Sequence, residues 1–262
     1  LNDCEGTLYL IDCDIMGAIQ GLAVSNDPDK GKHAPSIICV RTKFHDCYKH
    51  QVYDPKKQPM AQVGIYYHDS IHRDGNQPML GIYGCTFADI GIKGRDPETR
   101  AKYARMYHHP VYCKGNALIR VLDSTFIDYS GQGVKAIGYD AEIRRNAFLN
   151  GAVGWNFGQD EDQQYKTGRH HMICNAFDNL VYGMGDIQAD NQRLGMGCYL
   201  ESCDALLRGN IFTSPTSVGD TPSAIRCNNV SGYPVLCTTR DANTVIGYTH
   251  ALEISGEGSE WG

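Results

Sequence analysis

Apolar and polar residues alternate along this chain in short bursts of about five, with turn residues between them. That is the period of β-strands and not of helices. The bursts also align on one another. Ile15, Phe44, Phe87, Phe126, Phe148, Phe177, Phe212 and Val230 serve as anchors. Five residues before them stand Leu10, Cys39, Ile82, Val121, Ile143, Met172, Leu207 and Ile225, all apolar or cysteine. Two residues before them stand Cys13, Thr42, Cys85, Ser124, Asn146, Asn175, Asn210 and Asn228, all small and able to hydrogen-bond. Two residues after them stand Gly17, Asp46, Asp89, Asp128, Asn150, Asn179, Ser214 and Gly232, all turn formers. An irregular repeat of this kind predicts a solenoid, each coil burying its apolar face against its neighbours.

Ile143 and Phe148 are an odd number of residues apart and cannot share one strand face, so a bend lies between them at Asn146. Asparagine tolerates the left-handed conformation there. The pattern therefore predicts a ladder of Asn146, Asn175, Asn210 and Asn228, continued by Cys13, Thr42, Cys85 and Ser124. Anchor spacings are 29, 43, 39, 22, 29, 35 and 18. The 22-residue coil suits three short strands and three turns. The fold expected is an all-β parallel β-helix of about eight coils, roughly 40 Å long at one strand spacing per coil. Residues 1–262 read as a single domain, or as a piece of a longer chain that starts at Leu1.

The stretch 109–159, with Val111-Tyr112-Cys113, Val134-Lys135-Ala136 and Trp155-Asn156-Phe157 on successive repeats, resembles the right-handed parallel β-helix (pectin lyase-like) superfamily. Polysaccharide lyases, polymer epimerases and phage tailspikes belong to it. The resemblance implies a right-handed solenoid and an extracellular or cell-surface setting, and leaves activity open.

Loops add to the picture. The surplus over 22 residues places insertions 45–62, 88–109 and 178–196 before one sheet, and 26–35, 69–78 and 159–169 after it. Loops on both flanks of one face define a groove. Strand alternation turns Tyr66, His68, Tyr112, Lys114, Lys135, Asn156, Tyr199 and Glu201 outward into it. The chain carries a net charge of −6, which disfavours general nucleic-acid binding. No run is long enough for membrane insertion. Against that acidic background, Arg95, Arg100, Lys102 and Arg105 lead into His108 and His109, and Lys166, Arg169, His170 and His171 close the loop after Trp155. Local positive charge with tyrosines predicts an anionic polysaccharide as partner.

Cleavage of a uronate polymer by β-elimination needs a neutralised carboxylate, a base for the C5 proton and an acid for the leaving oxygen. Lys114 or Lys135 is the expected base, each lowering the other's pKa. His109 or Tyr112 is the expected acid, and Arg95 or Arg105 the carboxylate clamp. Asp160, Glu161 and Asp162 are a weak candidate Ca²⁺ site. Two alternatives stand beside the lyase. One is a glycoside hydrolase, though Glu201 is the one carboxylate on the groove strands. The other is a non-catalytic module: an adhesin, a tailspike-like part or a filament subunit, with homo-oligomers or end-to-end stacking. The eleven cysteines read as core and ladder residues with up to three disulfides.

Overall fold

The computed structural model describes residues 6–26, 34–48, 62–69, 77–91, 108–138, 140–158, 172–184, 195–214, 223–228, 235–255 and 260–261. They form twenty-five strands and no helix, so no helix is long and apolar enough to cross a membrane. All pairing is parallel between successive coils, in three sheets of nine, eight and eight strands. The protein is a parallel β-helix. Each coil contributes one strand to sheet B, one to sheet C and one to sheet A, in that order. Coil 4 is typical, with Leu118–Leu122, Thr125–Tyr129 and Gln132–Ile137. Eight coils are complete, and Glu260–Trp261 adds a ninth strand to sheet B.

A row of large side chains runs through the core under sheet C. Phe44, Phe87, Phe126 and Phe148 stack with their rings nearly parallel, centroids 5.0, 4.9 and 4.7 Å apart. Offset stacks of this kind add to what burial of the rings contributes. The row continues through Val181, Phe212 and Val245, in register. This corrects two anchors. Phe177 lies on sheet B, half-buried and turned outward, its ring 4.9 Å from the Arg208 guanidinium. Val230 lies outside the described residues, and Val245 takes its row.

The ladder shifts with them. Its Asn members are Asn146, Asn179, Asn210 and Asn243, following Ser124. Asn179 Oδ1 accepts from the Asn146 backbone N–H at 3.0 Å, Asn210 Oδ1 from that of Asn179 at 3.1 Å, and Asn243 Oδ1 from that of Asn210 at 3.0 Å. Each Nδ2 donates back to a carbonyl of the preceding coil, as Asn179 does to Ile143. Asn175 lies in the middle of a sheet B strand instead, and Asn228 at the end of a sheet A strand.

The ladder residues are not left-handed. The residue before each one is: Asp12, Arg41, Gly84, Asp123, Arg145, Asp178, Gly209 and Ala242 all have positive φ. A backbone ladder holds this corner, since the left-handed N–H groups from Asp12 to Gly209 each donate to a carbonyl of the next coil. Where Asp and Arg fall on neighbouring coils they form exposed forks, as in Asp12–Arg41 and Asp123–Arg145. Coil 8 spends an extra residue here, with Asp241 and Ala242 both left-handed.

The turn from sheet B to sheet C is thus short in every coil. Every segment outside the described residues within the solenoid, the single residue 139 included, enters or leaves sheet A. Residues 215–222 and 229–234 join the insertions expected there. Glycine serves this sheet by being small. A Cβ on Gly133 would lie 2.5 Å from Gly154 O and 2.7 Å from Phe148 Cδ1, and one on Gly197 would lie 2.4 Å from Ala224 O. The absence of a side chain lets the strand pass tight against both the phenylalanine row and the next coil.

Candidate functional site

The outer face of sheet A carries the unusual chemistry. Register places its residues in columns along the rod. The central column reads Ala23, Tyr66, Tyr112, Lys135, Asn156, Tyr199, Arg226 and Glu253 on coils 1 to 8. A second column, two residues on, reads Ser25, His68, Lys114, Ile137, Gly158, Glu201, Asn228 and Ser255. On the other flank lie Val63, His109, Gln132, Val153, Met196 and Ser223, all buried.

Coils 2 to 4 form one cluster. The rings of Tyr66 and Tyr112 meet edge to face at 5.6 Å, Tyr66 and His68 at 6.4 Å, and His109 tilts against Tyr112 at 5.4 Å. The Lys135 ammonium sits 5.8 Å from the Tyr112 ring centroid, a cation–π contact. Burial raises the Tyr66 phenol above its usual range. Lys114 is beside His68 in register, on the neighbouring column from Lys135. The two lysines are therefore diagonal neighbours on adjacent coils.

His109 is only 3% exposed, and its Nδ1 accepts the Gln132 backbone N–H at 3.2 Å. Burial holds the imidazole well below its ordinary pKa, with the Lys135 and His108 charges adding to the effect. It is neutral at pH 7 and cannot give up a proton as imidazolium. In this neutral form the ring packs against Tyr112, the other candidate acid.

Asn156 is covered as well. It stands in the outward column but is 2% exposed, and its Oδ1 has no partner among the described residues. Gln132 Oε1, on the adjoining coil, is likewise buried and unpartnered. Two buried acceptors beside a lysine favour a hydroxyl-rich ligand able to donate to them.

Coils 6 to 8 form a second, hydrogen-bonded cluster. Asn228 Nδ2 donates to the Tyr199 hydroxyl at 2.9 Å, and that hydroxyl hydrogen-bonds Glu201. Burial, with the Glu201 charge, pushes the Tyr199 phenol up to about 12. Arg226 lies 5.7 Å from the Tyr199 ring and 3.5 Å from Glu253, whose other oxygen accepts the Ser223 hydroxyl at 2.6 Å.

Sequence reasoning missed Gln132, Arg226 and Glu253. The false anchor at Val230 left strand His250–Ser255 out of the sheet. The signal available was the spacing of 18, too short for a coil. Arg95, Arg105, Asp160, Glu161 and Asp162 lie outside the described residues, as do the other loop cations from Arg100 to Arg105 and from Lys166 to His171. Among the described residues no group of three His, Cys, Asp or Glu is placed to hold a metal ion.

No protein family, curated protein or solved structure matches the chain.

Proposed function

We propose that the outer face of sheet A binds an acidic polysaccharide and cleaves it by β-elimination at coils 3 and 4. The observation that carries this reading is the Lys135 ammonium set against Tyr112, with a neutral His109 beside them. In the proposed step Lys135 first gives its ammonium proton to solvent, and the free amine takes the C5 proton of a uronate. The electron pair forms the C4–C5 double bond, the C4–O4 bond breaks, and Tyr112 protonates the departing O4. Lys114 offsets the carboxylate charge. Tyr66 and Tyr199 stack on neighbouring rings, and Gln132 and Asn156 accept their hydroxyl hydrogens.

The test is absorbance near 235 nm with a panel of uronate polymers, with and without Ca²⁺. A rise on one polymer that Lys135→Ala reduces at least about a hundredfold supports the assignment. No rise on any polymer, with the protein folded, refutes elimination. Retained polymer binding in that case would make the face a non-catalytic recognition surface.

A further inference from the structure

The corner where sheet A turns into sheet B holds a concentration of cysteine that the glycan-facing site does not use. Cys174, Cys198, Cys203, Cys227 and Cys237 are each 1% exposed or less. Register shows how they assemble. Cys227 is the last inward residue of its sheet A strand, level with Leu200. Cys237 is the first inward residue of the sheet B strand that follows, level with Ala205. The two face one another across one corner, and their thiols hydrogen-bond. One coil earlier, Cys203 is the corner residue itself. Its Sγ reaches back to Phe157 O at 3.7 Å. There it meets Cys174, the inward residue level with Ala205, and these thiols also hydrogen-bond. Cys198 adjoins both pairs without a thiol hydrogen bond to either, level with Ile225.

We infer that this corner is a disulfide site, pairing Cys227 with Cys237 and Cys174 with Cys203 and leaving Cys198 as a thiol. The first bridge closes a single corner. The second staples two successive coils. Buried thiols react poorly once the fold is complete, so the bridges form while the chain folds in the presence of a small-molecule disulfide. One thiolate attacks oxidised glutathione and releases one reduced glutathione. The partner thiolate then displaces the second glutathione from the mixed disulfide, closing the S–S bond. The protein is oxidised by two electrons per bridge and glutathione is reduced by the same number.

The experiment is refolding of the denatured, reduced chain in a reduced and oxidised glutathione mixture, with a parallel sample in reductant. Native folding is checked by tryptophan emission, to which the buried Trp155 contributes. Free thiols are then blocked under denaturing conditions and the peptides mapped without reduction. The expected result is an intact mass lower by four hydrogens before blocking, with peptides joined 227 to 237 and 174 to 203 and Cys198 blocked. Natively folded protein with these four cysteines blocked, or with Cys198 in a bridge, overturns the inference. The wild-type chain itself is read, so no folding-defective variant obscures the outcome.

Discussion

Asn179 and Asn175 are four residues apart, and replacing each by alanine separates two frames for the same coil. Asn179 is 1% exposed. Its Oδ1 accepts from both the backbone N–H and the Nδ2 of Asn146, each at 3.0 Å, and its Nδ2 donates to Ile143 O at 3.2 Å and Asn210 Oδ1 at 2.9 Å. Asn179→Ala orphans the buried Asn146 N–H, at about 1–3 kcal/mol, and loses three further bonds at about 0.5–1.5 kcal/mol each. Because such terms overlap, the expected total is of order 3–5 kcal/mol. Asn175 is half-buried on the outer face of sheet B, and Asn175→Ala should stay within about 0.5 kcal/mol. Asn179→Asp keeps the acceptor but turns a carboxylate oxygen toward Asn210 Oδ1 and Ile143 O. Burial raises such a carboxyl's pKa, so its folded form binds the proton more readily than its unfolded form. Its cost is therefore full at neutral pH and shrinks as pH falls through the raised folded value. The assay is urea unfolding followed by tryptophan emission, beside far-UV circular dichroism to detect coils that melt separately. Equal losses for Asn175→Ala and Asn179→Ala would refute the ladder as described.

Further outcomes follow from other contacts. Phe126→Ala removes a ring stacked on both sides and should cost about 3–5 kcal/mol in the same assay. Gly197→Ala pushes a methyl to 2.5 Å from Phe212 Cδ1 and 2.4 Å from Ala224 O. It should cost at least about 3 kcal/mol and raise the proteolysis rate, whereas the open space at Gly17 leaves only backbone strain, about 1 kcal/mol. His109 has a folded pKa depressed below its unfolded value near 6.5, so below that pH the unfolded chain binds the extra proton. Stability should fall as pH drops from about 6.5 toward the folded pKa, by at most about 1.4 kcal/mol per unit. Urea midpoints at pH 7.5 and 5.5 measure this, and His109→Asn should flatten the difference.

Much of the architecture was legible because phenylalanine, asparagine and aspartate recur where a coil demands them. Six anchors hold, from Ile15 to Phe148 and at Phe212. Coil 6 misled because Phe177 has the right letter while Val181 has the right place. A hydrophobic slot accepts either, and only the hydrogen bond at Asn179 tells them apart. Coil 8 misled because the second left-handed residue, Ala242, lengthens its bend and breaks the spacing. The central column was readable up to Tyr199 from strand alternation. That Asn156 is covered and His109 neutral was not readable, since both depend on burial supplied by distant segments.

The asparagine ladder has a direction. Each rung lends its oxygen to the N–H of the coil before it, so every corner N–H on the ladder is satisfied by the coil that comes after. Coil 1 offers only the Cys13 thiol at this place, a poor acceptor. Two copies spliced head to tail would set that thiol over the Asn243 N–H and leave the seam unmatched. Coils carrying asparagine at the rung can be appended after coil 8, and a seamless tandem splice would first require Cys13→Asn. The ladder is therefore polar, its N–H groups facing the later coils and its oxygens the earlier ones.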